Sequence, residues 1–284
     1  MNYRHAYHAG NFADVVKHAI LARIVAHLKE KPAAFRVIDT HAGRGQYDLT
    51  GPEADRTGEW RDGIGRLLAA SLPAPVNDLL RPYRDAVTAL NSGDRVTVYP
   101  GSPALMRAWL RDQDRLTACE LEPSAADALA GALRRDPRVN VVAIDGYTAL
   151  NAYVPPKERR GLVLVDPPFE ETGEFERLTE GLVRAHRKWA TGIYAFWYPL
   201  KDLRATDAFA RRLARLGIPR ILRAELTVAS GRAVEGLAGS GLVIVNPPWT
   251  LEGDLRVLLP ALQAVLGRDG GRGSTRLDWL AGEK

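Results

Sequence analysis

Apolar residues along this chain fall into two rhythms. Short, largely apolar runs recur at 35–39, 96–99, 116–120, 139–144, 162–166, 192–197, 221–228 and 242–246. Each has the length of a strand buried on both faces. Between most of them, apolar residues return every three or four positions, at about 103–110, 123–134, 174–188 and 203–216. An opening helix is predicted over 12–30, with Asn11 as its N-cap, Asp14 in its first turn, and Val15, Val16, Ile20, Ile24 and Leu28 on its apolar side. Strand and helix in alternation predict one α/β domain over 1–284, a mostly parallel twisted sheet with helices on both faces.

One stretch breaks the rhythm. Residues 48–95 hold Pro52, Pro73, Pro75 and Pro82 and many charges. Two helices are predicted there, at 58–70 and 76–91, and no strong strand. The segment reads as a helical insertion within the domain. Its Arg56, Arg61, Arg66, Arg81 and Arg84 are candidates for a basic surface. Residues 267–273 are glycine-rich, and a short terminal strand follows.

In open α/β sheets, ligands bind at the carboxyl edge of the strands, and four strand ends carry polar groups. The first is Asp39 followed by Gly43 and Gly45, glycines that let backbone approach a ligand. Their spacing is not that of the dinucleotide fingerprint. The second is Glu120, placed to take the hydroxyls of a ribose, although it lies far beyond the roughly 20 residues usual for such an acid. The third is Asp145 with Gly146. Asp145 suits either an adenine amine or the N-cap of the next helix. The fourth is Asp166-Pro167-Pro168-Phe169, closing the run GLVLV. Its prolines stop the strand and leave a carboxylate, a carbonyl with no N–H beside it and an aromatic ring at the ligand edge. A second copy, Asn246-Pro247-Pro248-Trp249, closes GLVIV. The first copy follows the glycine turn and the two acids in strand order and is taken as the catalytic one. The second is then a structural turn, or its Trp249 flanks the target pocket.

Together the four ends resemble a Rossmann-like class I methyltransferase that uses S-adenosylmethionine, of the amine-methylating class marked by Asp, Asn or Ser before Pro-Pro and an aromatic. That resemblance implies catalytic roles for Asp166, Pro167 and Phe169. Asp166 and the Pro167 carbonyl would accept the two N–H bonds of an exocyclic amine, with Phe169 stacked on the base. A base paired in a duplex cannot reach such a site and must be unpaired or flipped.

The opening, Tyr3-Arg4-His5-x2-His8-Ala9-Gly10-Asn11-x-Ala13-Asp14-x2-Lys17-His18, is dense in polar and aromatic groups. It reads as a cap over the site, with Tyr3 and Arg4 near a nucleic acid and Lys17 and His18 turned to the cofactor. Lys17 is also counted with the substrate-facing set. No cysteine or acid cluster accompanies the histidines, so no metal is expected. This opening, with DTHAGRGQY, RTGEW, YPGSP, DPPF, TGIYAFWYP and VNPPW, resembles the ribosomal RNA large subunit methyltransferase J family over essentially the whole chain. The resemblance implies methylation of an adenine N6 in 23S ribosomal RNA. It implies a cofactor held at His18, His41, Ser102, Glu120, Asp145, Gly146 and Asp166, beside the Gly43 turn, and RNA contact at Tyr3. The family has Tyr where this chain has Phe169, which leaves stacking intact and removes a hydroxyl. Ser102, between a strand and a helix, is by default an N-cap.

Composition adds little to this. Lys and Arg number 39 against 34 Asp and Glu, for a net charge of +5, which favours a polyanionic partner only weakly. One cysteine, Cys119, allows no internal disulfide and suits a reducing cytosol. No apolar stretch reaches the roughly 20 residues of a membrane span, and the N-terminus has no secretion signal. A cytoplasmic monomer is the expectation. The same proline motif also serves DNA adenine-N6, RNA guanine-N2 and protein glutamine methylation, the last favouring Asn at its first position. A non-catalytic RNA-binding protein is the remaining alternative.

Overall fold

The computed structural model describes residues 4–93, 95–229, 237–268 and 273–283. Its strands are β1 (Arg36–Asp39), β2 (Gln46–Asp48), β3 (Val98–Pro100), β4 (Arg115–Glu120), β5 (Val139–Ala143), β6 (Gly161–Val165), β7 (Ile193–Pro199), β8 (Ile221–Thr227), β9 (Gly239–Val245) and β10 (Thr275–Ala281). Its helices are α1 (Phe12–Glu30), α2 (Pro52–Thr57), α3 (Arg66–Ala69), α4 (Ala74–Thr88), α5 (Ser102–Trp109), α6 (Pro123–Leu133), α7 (Gly146–Tyr153), α8 (Glu174–Lys188), α9 (Leu203–Ala214) and α10 (Leu251–Leu266). Eight strands form the main sheet in the order β10-β8-β9-β7-β6-β1-β4-β5.

Side-chain alternation places a core on each face of that sheet. Val37, Leu162, Leu164 and Ala195 point to the layer of α1, α5 and α10. Ile38, Val163, Val165, Tyr194 and Phe196 point to the layer of α8 and α9. Strands β5, β4, β1, β6 and β7 pair in parallel. Strand β9 runs antiparallel between β7 and β8, and β10 runs antiparallel on the far side of β8. Parallel strand ends therefore gather Asp39, Glu120, Asp145 and Asp166 on one edge.

The reversal of β9 separates the two Pro-Pro corners. Tyr194 pairs with Val245 and Pro199 with Ser240, so Asn246 sits beside the start of β7, at the opposite edge from Asp166. Asn246 holds its corner closed by donating from Nδ2 to the carbonyls of Ala190 and Gly192, each at 2.8 Å. Trp249 is exposed and far from the ligand edge, which corrects the expectation that it could flank the target pocket.

The insertion and its surroundings differ from the predicted form in three ways. First, residues 96–99 do not continue the main sheet: Val98–Pro100 pairs antiparallel with Gln46–Asp48, a three-residue strand the sequence did not reveal. This ribbon closes the insertion at its root, with Tyr47 opposite Tyr99. Second, the predicted helix 58–70 is a π-turn over Arg61–Gly65 followed by the short α3, and a separate helix, α2, precedes it. Gly63 forces the break. It lies so close to the arm that a Cβ there would stand 2.1 Å from the Gly10 carbonyl oxygen. Third, α1 is not a helix with one apolar side. The π-turn, α4 and α10 pack on it, and its turns are buried on all faces from Phe12 to Ala22. Ile20, Leu21 and Ile24 are fully buried, each worth about 1.5–3 kcal/mol of apolar transfer. Asn11 caps this helix as expected, its Oδ1 accepting from the Ala13 and Asp14 amides at 2.9 and 3.1 Å.

Candidate functional site

One cavity of about 1110 Å³ opens along the carboxyl edge of the parallel strands. It is lined by predicted site residues from each of the four strand ends: His41 and Gly43, Ser102 and Glu120, Asp145 and Gly146, and Asp166 to Phe169. Arg4, Lys17 and His18 complete it from the N-terminal side. Tyr3 lies outside the described residues.

The glycine turn is built from its neighbours. Gly43 has φ +62°, and a Cβ there would meet the Tyr47 hydroxyl at 2.3 Å. Its amide donates to Glu120 Oε2 at 2.8 Å, while Glu120 Oε1 accepts from the Glu122 amide at 2.9 Å. Glu120 thus braces the turn with one oxygen and its own loop with the other. Its remaining lone pairs can still accept from a ligand. Asp145 caps the next helix: Oδ1 accepts from the Thr148 amide at 2.8 Å, opening α7. Its Oδ2 has no partner among the described residues. Gly146 lets two segments touch, because a Cβ there would stand 2.5 Å from the His41 ring.

Ser102 is not the N-cap that its position suggested. Gly101 caps α5, and Ser102 opens the helix and donates from Oγ to Asp39 Oδ2 at 2.6 Å. Asp39 is fully buried, and its Oδ1 has no hydrogen-bond partner among the described residues. Burial pushes its carboxyl up to about 7, despite the Ser102 hydrogen bond.

At the fourth strand end, the acid is already engaged. Lys17 is buried and forms ion pairs with Asp14, at 2.8 Å, and with Asp166. Burial works against the lysine charge, but the two carboxylates outweigh it and raise the ammonium above its ordinary range. Burial likewise opposes ionisation of Asp14, yet Lys17 and His5 hold it well below the usual carboxylate value. Lys17 is therefore misplaced in the substrate-facing set. An ammonium spent on two buried carboxylates offers no open charge to a phosphate. Phe169 takes φ +54°, a conformation costly for a bulky side chain. Its ring packs edge-on against Phe175 and Trp197, at 5.1 and 5.9 Å.

The two cavity histidines are neutral at physiological pH. Burial lowers His18 to about 3 and His41 to about 4. His18 Nδ1 lies 2.7 Å from the Tyr99 hydroxyl, which lies 2.8 Å from that of Tyr83. His18 Nε2 is buried with no partner among the described residues. His41 Nδ1 lies 2.8 Å from Thr40 Oγ1, and its ring meets Tyr147 edge-on at 5.7 Å. Tyr147 in turn donates to Glu174 at 2.5 Å, and Arg177 donates to the same carboxylate at 2.7 Å.

The arm is fixed by the insertion. His8 Nδ1 faces Glu59 at 3.0 and 3.1 Å, and Asn11 Nδ2 donates to the same carboxylate at 3.0 Å. His5 pairs with Asp14 at 3.0 Å. Arg4 is exposed at the rim, 3.9 Å from Glu53. The insertion arginines are less available than their number suggested. Arg61 pairs with Asp55, Arg66 with Asp62 and Arg81 with Asp78. Arg84 is held by Asn77 and the Leu68 carbonyl, and Arg56 lies over the Tyr7 ring at 5.9 Å. Sequence reasoning gave no role to Glu59, Tyr83, Tyr99 or Thr40. The signal for three of them was in view, because Thr40 sits in DTHAGRGQY, Glu59 in RTGEW and Tyr99 in YPGSP. Among the described residues no cluster of three His, Cys, Asp or Glu could hold a metal ion, and no helix is long and apolar enough to cross a membrane.

Known proteins share this architecture. The family described as "Ribosomal RNA large subunit methyltransferase D, RlmJ" matches residues 32–281. Two proteins named ribosomal RNA large subunit methyltransferase J are each 39% identical to this chain, one from Escherichia coli K12 and one from Haemophilus influenzae. In both cases the alignment covers all of this chain and all of the relative. A crystal structure of a Legionella pneumophila protein superposes with a TM-score of 0.88 at 34% identity, covering 98% of this chain and 99% of that one. By full-length identity, by profile and by fold, this chain belongs to the ribosomal RNA large subunit methyltransferase J family.

Proposed function

We propose that this protein transfers a methyl group from S-adenosylmethionine to the exocyclic N6 of an unpaired adenine in 23S ribosomal RNA, acting on protein-free or early-assembly RNA. Membership of a methyltransferase family supports S-adenosylmethionine as the methyl donor. The observation that carries the finer reading is the Asp166-Pro167-Pro168-Phe169 corner. It shares one cavity with the glycine turn, Glu120 and Asp145.

The cavity suits that donor. Backbone approaches closely at Gly43 and Gly146, where side chains would collide. Glu120 and Asp145 supply acceptors for ribose hydroxyls and an adenine amine, and His18 Nε2 is a buried polar atom with no partner among the described residues. His18, His41, Gly43, Ser102, Glu120, Asp145, Gly146 and Asp166 are the residues that would hold it. Ser102 acts through Asp39. When bound, S-adenosylmethionine supplies a methyl group on a positively charged sulfur.

The chain's own residues supply the rest. An adenine amine is a weak nucleophile because its lone pair is delocalised into the ring. Asp166 and the Pro167 carbonyl accept its two N–H bonds and draw the nitrogen toward tetrahedral geometry, turning the lone pair out of the ring plane. Lys17 grips Asp166 Oδ2 and leaves Oδ1 for the amine. Positive charge that develops on the nitrogen is stabilised by the Asp166 carboxylate, which then takes the excess proton or passes it to water. Phe169 holds the base by stacking. Such alignment can lower a barrier by up to ~7–11 kcal/mol. Arg4, with Tyr3 before it, faces the RNA at the rim.

The test is methyl incorporation into protein-free large-subunit RNA by wild type and by Asp166→Ala, followed by nucleoside mass spectrometry. N6-methyladenosine from wild type and loss of at least a hundredfold in the variant are expected. Guanine-N2 or DNA adenine products would replace the substrate assignment, and wild-type rates in Asp166→Ala would refute the role of that residue.

A further inference from the structure

Hydrogen-bond donors in the cavity wall can be counted, and the count fixes proton positions on both histidines. Tyr83, on α4 of the insertion, is fully buried. Its hydroxyl has one partner among the described residues, the Tyr99 hydroxyl. If His18 donated from Nδ1 to Tyr99, then Tyr99 would donate to Tyr83, and the Tyr83 proton would be buried without an acceptor. A buried donor left unsatisfied bears the full penalty of its desolvation. The reverse direction moves the unpaired proton to where a ligand can take it: Tyr83 donates to Tyr99, Tyr99 donates to His18 Nδ1, and the proton left over belongs to His18, which lines the cavity as Tyr83 and Tyr99 do not. A neutral imidazole carries one proton, so that of His18 rests on Nε2.

His41 runs the other way. Thr40 Oγ1 lies 3.0 Å from the Leu164 carbonyl, to which it donates its only proton. Toward His41 Nδ1, at 2.8 Å, it can only accept. His41 therefore carries its proton on Nδ1 and leaves Nε2 as a lone pair.

We infer that these hydroxyls lock the two cavity histidines in opposite tautomers, so that His18 offers an N–H donor and His41 an acceptor to the methyl donor. Tyr99, Tyr83 and Thr40 are thus positioning residues, and the insertion reaches the cofactor site through Tyr83. The donor at His18 takes an oxygen, and a carboxylate is the anionic oxygen group of S-adenosylmethionine. The acceptor at His41 takes an N–H or hydroxyl. The inference rests on the cofactor reading given above.

Imidazole nitrogen NMR on the ligand-free wild type at pH 8 tests the proton count directly, with the His18→Gln and His41→Gln variants assigning the signals. One ring protonated at Nε2 (His18) and one at Nδ1 (His41) is the expected result. Like tautomers, or the reverse pair, overturn the inference whatever the protein binds. Tyr99→Phe and Thr40→Val then remove each hydroxyl with little change in shape. Each is expected to yield mixed tautomers at its own histidine and about tenfold weaker S-adenosylhomocysteine binding by calorimetry. Tyr83→Phe, which leaves Tyr99 in place, is expected to shift His18 alone. Wild-type affinity and unchanged tautomers in Tyr99→Phe also sink it. Failure of the wild type to bind S-adenosylhomocysteine strikes the cofactor reading instead, and the ligand-free spectrum separates the two.

Discussion

Lys17 and Asp166 are 149 positions apart in the chain, yet they form a buried ion pair at the mouth of the ligand edge. Helix α1 brings the ammonium there, and the Pro-Pro corner after β6 brings the carboxylate. The same ammonium also holds Asp14, its neighbour one turn earlier. Removing Lys17 leaves two carboxylates facing each other in a dry place. Breaking a buried pair in this way costs about 3–5 kcal/mol. Lys17→Met is expected to lower the thermal midpoint by several degrees and to reduce methyl transfer at least a hundredfold. Asp14→Asn keeps the Lys17–Asp166 pair and is expected to retain more than a tenth of the activity. Thermal melts and single-turnover rates on both variants check this, and equal losses would mean that Asp166 does not depend on Lys17.

Asp39 gives the cofactor-free protein a pH dependence of definite sign. Burial raises its carboxyl from the ordinary 3.8 to about 7. Between those values the unfolded chain releases a proton that the folded chain keeps. Its contribution is therefore full below pH 4 and is lost as pH rises through about 7. A tenfold difference in proton affinity between the folded and unfolded chain is worth ~1.4 kcal/mol. Asp39→Asn cannot titrate. Urea unfolding of both proteins at pH 5 and pH 8 is expected to show wild type losing on the order of 2–3 kcal/mol relative to the variant over that interval. A constant difference between them would mean that Asp39 titrates normally.

Gly146 is expected to accept no side chain. A Cβ would overlap the His41 ring and stand 2.6 Å from the Thr40 carbonyl oxygen. Both belong to the loop that follows β1, so strain falls on the cofactor side of the cavity and not on the core. Gly146→Ala is expected to weaken S-adenosylhomocysteine binding at least tenfold, with a thermal midpoint within a few degrees of wild type. Calorimetry and melting curves measure the two effects separately. Unchanged affinity would show that His41 is not held in place from this side.

What the sequence disclosed and what it hid follow from the range of the forces involved. Strand ends were legible because a long apolar run and a proline corner are local signals, so Asp39, Glu120, Asp145 and Asp166 could be placed on one edge before their contacts were known. The cap of α1 was legible for the same reason, since Asn11 bonds within its own turn. Strand β2 was hidden because three residues carry no period, and only pairing with Val98–Pro100 makes them a strand. The burial of α1 on all faces was hidden because the covering comes from α4 and α10, far away in sequence. Lys17 looked like an RNA contact because a charge in an arm is usually solvated. Its partner Asp166 became its neighbour only through the fold. The insertion arginines erred in the same direction, for their acidic partners lie within six positions or fewer and were not weighed.

The two Pro-Pro corners, alike in sequence, are expected to respond in opposite ways to substitution. Asn246 takes φ +52°, a region asparagine tolerates better than most residues, and its amide ties the end of β9 to the loop before β7. Asn246→Ala forfeits two hydrogen bonds, one exposed and one partly buried, and is expected to cost about 1–2 kcal/mol of stability. Trp249 is 79% exposed, and Trp249→Ala is expected to be nearly neutral. Neither change reaches the ligand edge, because β9 runs against its neighbours. Both variants are thus expected to bind S-adenosylhomocysteine and to methylate RNA within a factor of three of wild type at 20 °C, while Asp166→Ala folds normally and is inactive. Loss of methyl transfer in a folded Trp249→Ala protein would move the reacting corner to the other edge of the sheet.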